Sequence, residues 1–304
     1  MANLTYEQFK AQIENRIKNF LPEEFADYSM KFQIITKSGY EYEALLITPP
    51  SGSNVTPALN ITEAFKKYEE GKSMEVILYN LADIRMNTSL PSFDQREVFD
   101  FEKIKSKIFP RIVNTATNQK FLLNKPHKEI EDLSIMYDLR IAFNENEMSA
   151  ALISNDMMKI WNKSVEEIHS IAMSNLEELP FVLNNLESIL SGSEETVEIE
   201  DINLADYDVP FFVLTNNQKH KGAVMAISNA IMDRITKKFG NVYILPSSID
   251  EVIIVPQTMT GNLDIADLKR MVCDVNSSEV QPEDQLSDHI YEYDYEKHSF
   301  SMVM

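Results

Sequence analysis

Cysteine is all but missing. Cys273 is the sole one, which excludes an internal disulfide and any zinc site built from several cysteines. Its neighbours Val272 and Val275 suggest a helix near the core, where a thiol packs as a small inert hydrophobe. Glycine is nearly as scarce, with 7 in 304 residues against a usual share of about 7%. Loops that cradle phosphate by close backbone approach need glycine, so that chemistry is disfavoured and no cofactor is expected. No stretch reaches the ~18 apolar residues of a membrane span. Neither a basic region nor an apolar run follows Met1, so no signal peptide is expected and a cytoplasmic protein without membrane attachment is.

Positive charge is missing from two long windows. Ser164 to Gln218 holds 12 Asp/Glu and no Lys/Arg, and Met271 to Glu296 holds 8 and again none. Those 20 carboxylates equal the whole formal charge of −20, so the rest of the chain is neutral. Such a surface repels nucleic acid and anionic membrane and suits a basic partner. The moderate basic clusters, Lys66-Lys67, Lys103 to Lys107 and Lys237-Lys238, do not alter that.

What is present is ordinary globular material, 44% hydrophobic and 25% charged, in a length that suits one large or two medium domains. Thr5 with Gln8, and Ser164 with Glu167, are capping boxes that open helices. Phe9, Ile13, Ile17 and Phe20 make one apolar stripe, ended by Pro22. Met30–Thr36 and Tyr40–Thr48 read as a hairpin about Ser38-Gly39. Helices are expected over Thr62–Glu70, Ser73–Asn87, Phe101–Ile108 (with Pro110 as a break), Phe181–Leu190 and Asn229–Phe239. Asp264 can cap another carrying Leu268, Val272 and Val275. Strands are expected over Leu133–Phe143, Met148–Ser154, Phe211–Thr215, Ala223–Ile227, Val242–Leu245, Glu251–Val255 and a terminal hairpin, Ile290–Tyr295 with Phe300–Val303.

Hairpin-length connections dominate and few strand–helix crossovers occur. The expected fold is therefore α+β, mostly antiparallel sheet with packed helices. Its helical part with a small β-hairpin runs over 1–125, and an antiparallel α+β domain over 126–304, with a mobile acidic connector near 191–209.

No constellation of residues names a reaction. The five histidines form no metal-ligand spacing, so no metal is expected. Neither G-x-S-x-G nor S-x-x-K occurs. Asp288-His289 beside a tyrosine strand has cation-binding residue types, although a solvated strand end looks the same. Ser247, Ser248 and Asp250 present two hydroxyls and a carboxylate at a tight turn, although hairpin turns prefer the same residues. Asn216 and Asn217 open a polar hairpin tip running to Gly222, a place where loops carry contacts. In Tyr291–Glu296 the tyrosines alternate with Glu292, Asp294 and Glu296. A strand there sets the carboxylates on one face, ~7 Å apart, as a ladder for a basic groove or simply a solvated edge.

With these segments laid out, the chain resembles a family of unknown function, number 5688, along nearly its whole length. The likeness is carried by Leu4-Thr5-Tyr6-Glu7-Gln8-Phe9, Leu21-Pro22-Glu23-Glu24, Phe101-Glu102-Lys103-Ile104-Lys105, Asp132–Tyr137 and Asn155–Trp161. Its most specific parts are Tyr243–Pro256, Val275-Asn276 and Leu286-Ser287-Asp288. The resemblance implies an origin in gut Firmicutes and carriage on a mobile element, and brings no activity or catalytic residue.

Three functions stay open. The first is a non-catalytic interaction protein whose acidic surface engages a basic protein partner. The second is a hydrolase or transferase with a site at Ser247, Ser248 and Asp250. The third is a DNA mimic, which requires the two acidic windows to meet on one face.

Overall fold

The structure is a computed structural model describing residues 4–50, 56–88, 95–144, 147–192, 198–207, 210–246 and 248–303. The chain divides into two compact units, Met1–Ser92 and Phe93–Met304. The division falls earlier than the expected one near residue 125, because the segment after Phe93 supplies a strand to the second unit's sheet.

In the first unit, helix α1 (Tyr6–Arg16) opens on the Thr5–Gln8 capping box and buries Phe9 and Ile13. Strands β1 (Ser29–Lys37), β2 (Tyr40–Thr48) and β3 (Ala58–Asn60) follow as an antiparallel sheet in that order. Lys37 pairs with Tyr40, leaving Ser38-Gly39 as a two-residue turn, and Gly39 takes the left-handed φ of 74° that such a turn requires. Helices α2 (Ile61–Glu69) and α3 (Met74–Asn87) complete the unit. Phe9, Ile13, Leu45, Ile47, Ile61 and Leu78 form its core.

The second unit carries two antiparallel sheets. The smaller is built from β4 (Ile108–Asn114), β5 (His127–Ile130), β6 (Leu133–Asn144) and β7 (Glu147–Leu152), all pairing with the long β6. Short helices α4 (Phe101–Ile104) and α5 (Gln119–Leu122) flank β4. Helices α6 (Asn155–Trp161) and α7 (Val165–Glu177) lead to the larger sheet, α7 opening on its Ser164–Glu167 capping box. That sheet comprises β8 (Phe181–Asn185), β9 (Phe212–Asn216), β10 (Val242–Leu245), β11 (Val252–Pro256), β12 (Tyr291–Asp294) and β13 (Ser299–Met302), in the order β13-β12-β10-β11-β9-β8. Helix α8 (Leu186–Leu190) follows β8, α9 (Asn229–Phe239) precedes β10, and α10 (Ile265–Ser278) follows β11. One core, including Tyr137, Ile168, Leu214, Ile235, Ile244 and Tyr293, joins the small sheet, α7, α9 and one face of the large sheet. A separate cluster, Leu245, Val255, Leu268, Val272 and Ile290, seats α10 on the opposite face. The fold is α+β with antiparallel sheets and packed helices.

Four local expectations differ from what is found. Phe181–Leu190 is a strand and then a helix: Val182, Leu183 and Asn184 are all buried beside β9, and the Asn185 side chain caps α8 by accepting from the Glu187 and Ser188 amides. Ala223–Ile227 is a 3-10 turn, not a strand, and every residue of Gly222–Ile227 is buried; an apolar run enclosed on all sides has no period to read. The helix expected to reach Ile108 stops at Ile104, and Pro110 lies inside β4, an edge strand where its missing N–H costs no ladder bond. The acidic connector is anchored where it is described: Ile199 and Ile202 enter the core, beside the 3-10 turns Ile199–Asp201 and Leu204–Asp206. Residues 193–197 and 208–209 of that connector lie outside the described residues.

Candidate functional site

The structure brings Asn216, Ser248 and Asp250 together, in one cluster of loops. Asn216, buried at the end of β9, accepts from the Gln218 and His220 amides and donates to the His220 carbonyl at 2.8 Å. Asp250, just before β11, accepts from the Lys221 amide at 2.6 Å, and its carbonyl accepts from Thr215 Oγ1 at 2.7 Å and from the Gly222 amide at 2.9 Å. Burial alone would raise the Asp250 carboxyl, but His220 and the Lys221 amide hold it below the ordinary range. Ser248 Oγ accepts from the Asp250 amide. Asn217 is exposed at the tip, and Ser247 lies outside the described residues. The polar atoms of Asn216, Ser248 and Asp250 therefore shape two loops against each other. Ser248 Oγ accepts from its own turn, and among the described residues no general base is shown accepting its proton.

A second cluster was not visible as a motif because its members are far apart in sequence. Asp132, in the turn between β5 and β6, accepts from Ser287 Oγ at 2.8 Å, His289 Nδ1 at 3.0 Å and Tyr291 OH at 2.5 Å. Burial alone would raise its pKa, and the hydrogen bonds from Tyr291, Ser287 and His289 outweigh burial and bring it below the usual carboxylate value. The same three donors load one carboxylate with hydrogen bonds to its charged form. Ser, His and Asp also make catalytic triads, but there the serine and the carboxylate engage opposite nitrogens of the ring. Here both approach Nδ1, with Ser287 Oγ at 3.3 Å, and Ser287 is buried. The geometry is a fastening between β6 and β12. Asp288 turns away to accept from Asn276 Nδ2 at 2.8 Å. Among the described residues, no group of three or more His, Cys, Asp or Glu is placed to hold a metal ion.

On the terminal hairpin, Tyr291 and Tyr293 point into the core as alternation requires. Tyr293 OH donates to Asp233 at 2.8 Å, and burial, with Asp233 beside it, pushes its pKa up. The strand ends at Asp294, so Glu296 lies in the following turn and the ladder of carboxylates is two long. Glu292 accepts from Gln257 Nε2 at 3.0 Å. Asp294 accepts from Lys297 Nζ at 2.7 Å and from the amides of Glu296 and Lys297. One of the two acids is thus occupied by its own turn.

The two base-free windows do meet, elsewhere. An apolar groove of about 110 Å³ runs between α8 and α10, lined by Leu186, Phe211, Leu245, Ile253, Met271 and Val275. Its volume is somewhat below the ~150 Å³ of an apolar cavity that takes a benzene-sized group. Leu186 and Phe211 also line an adjoining depression of about 470 Å³, whose other walls include Glu187, Leu190, Asp206 and Tyr207. Leu186, Glu187, Asp206 and Phe211 come from the first window, Met271 and Val275 from the second. Met271 and Val275, one turn apart on α10, are each 41% exposed, and Leu190 is 79% exposed. Asn276 lines the same groove, is 3% exposed, and gives both its Nδ2 bonds to Ser287 O and Asp288 Oδ1. Its Oδ1 has no hydrogen-bond partner among the described residues. Because the amide nitrogen is committed to two acceptors, the unmet atom is the oxygen.

Among known proteins, the model of the family of unknown function DUF5688 matches residues 6–295. The chain belongs to that family. No protein of curated function and no solved structure matches it.

Proposed function

We propose that this chain is a non-catalytic binding protein that seats a basic amphipathic segment of a partner protein in the groove between α8 and α10. The observation that carries the reading is the Asn276 Oδ1, a buried acceptor without a donor among the described residues, at a groove to which both windows that lack lysine and arginine contribute lining residues. An unmet buried acceptor costs about 1–3 kcal/mol until a donor arrives. Apolar walls ask for the apolar stripe of a helix, and the Glu187 and Asp206 carboxylates beside them ask for cations on its flanks.

The test is fluorescence anisotropy of a labelled synthetic helix of lysine and leucine, titrated with the full chain. A matched helix with glutamate in place of lysine serves as the control. Val275→Lys, at an exposed position, places a cation among the lining residues. The lysine helix is expected to bind, to weaken as salt shortens the screening length, and to lose affinity about tenfold or more with Val275→Lys. Equal binding of the two helices, or a Val275→Lys variant that binds as the parent does, overturns the proposal.

A further inference from the structure

The depression beside the groove has two unlike halves. Leu186, Leu190 and Phe211 give it apolar walls, while Glu187, Asp206 and Tyr207 give it two carboxylates and a phenol ring. At about 470 Å³ it is far roomier than the groove of about 110 Å³, with space for a long side chain. Its walls are held in place. The Phe211 carbonyl accepts from the Leu186 amide at 2.9 Å and from Asn185 Nδ2 at 3.5 Å, which ties the start of α8 to the segment entering β9. Asp206 sits in a turn: its amide donates to the Asn203 carbonyl and its Oδ1 accepts from Asn203 Nδ2, each at 3.1 Å. The Tyr207 ring packs edge-on against Phe212, with centroids 5.4 Å apart at 73°, and Phe212 belongs to the core. A ligand therefore finds these groups already placed.

What the depression lacks is a cation. Ser164 to Gln218 contains no lysine or arginine, and among the described residues neither Glu187 nor Asp206 has an ion pair. Other exposed acids of this unit do have one: Asp156 pairs with Lys159, Glu167 with Lys163 and Asp294 with Lys297. Exposed carboxylates alone attract any cation weakly. The ring and the apolar wall are what discriminate. A lysine ammonium is compact and strongly hydrated, whereas a guanidinium is weakly hydrated, stacks on aromatic faces and offers a planar fork of donors. The methylenes behind it cover apolar surface while the charged head stays at the acids.

We propose that this depression receives one arginine side chain of the partner segment. Its methylenes lie along Leu186, Leu190 and Phe211, and its guanidinium lies between Glu187, Asp206 and the Tyr207 ring. The inference rests on the binding reading above, because the depression shares Leu186 and Phe211 with the groove; it adds which cation the segment must carry.

The test compares a labelled helix of arginine and leucine with the helix of lysine and leucine, by fluorescence anisotropy against the full chain at fixed ionic strength. The arginine helix is expected to bind about fivefold tighter. Glu187 and Asp206 are both exposed, so Glu187→Gln with Asp206→Asn leaves the fold intact. That double variant is expected to abolish the preference, whereas a mere loss of net charge would weaken both helices by the same factor. Equal binding of the two helices to the parent, or a preference unchanged in the double variant, overturns this inference and leaves the groove reading standing. If neither helix binds, the groove reading falls, and acetylarginine amide, titrated by saturation-transfer NMR, decides the depression separately. Saturable binding that the double variant loses retains it as a guanidinium site; no binding overturns it as well.

Discussion

A methyl group added at Gly222 would stand 2.2 Å from Thr215 Oγ1 and 2.7 Å from both the Asn216 nitrogen and the Asp250 carbonyl oxygen. Two of those neighbours are backbone, so they cannot rotate away. Close approach, not a left-handed φ, is what demands glycine here, and it lets the 216–222 loop dock on the turn before β11. Gly222→Ala is expected to lower unfolding free energy by about 2 kcal/mol, measured by urea denaturation of the full chain. An unchanged midpoint would mean that the two loops are not in this contact. The sequence exposes such a residue poorly: a lone glycine in a polar stretch reads as a turn, and only the fold reveals what crowds it.

At the scale of elements, Asp132 joins the small sheet to the large one through Ser287, His289 and Tyr291. Its folded pKa lies below the ordinary carboxylate value. The stabilisation is therefore fully present above the unfolded carboxylate pKa of about 4 and is lost as pH falls through the lower folded value. Asp132→Asn removes that titration, so the variant's stability is expected to change less between pH 6 and pH 3 than the parent's. Parallel stability curves in urea at the two pH values would contradict the bond. Of the elements themselves, the capped helices and the hairpins were legible, because Thr5, Ser164 and Asp264 each cap with the residue three positions on. Segments buried on every side were not. Ala223–Ile227 carries no polar face, so nothing in its period separates strand, helix and turn; in Phe181–Leu190 a buried strand hands over to a helix at Asn185 within a run that reads as one element. The Asp132 cluster escaped for another reason, since Asp132 and Tyr291 are 159 residues apart and no local spacing records their meeting. Asn216 and Asp250 were legible as polar positions, but whether their side chains face solvent or their own backbone was not.

Across the whole molecule, charge is sorted rather than merely negative. Both windows without lysine or arginine contribute residues to the α8–α10 groove, while Arg111 and Lys221 meet at Asp138 on the small sheet. With a net charge of −20, non-specific attraction to nucleic acid is opposed, and the basic partner we propose would be drawn in before any contact forms. Among the described residues, no helix is long and apolar enough to cross a membrane. We propose that the acidic windows act through the groove and not through the terminal hairpin. Hydrogen–deuterium exchange of the full chain, with and without the lysine–leucine helix, separates these directly. The groove predicts added protection in 186–190, 245–246 and 271–276 with none in 291–302; protection confined to the terminal hairpin, or absent throughout, would contradict it.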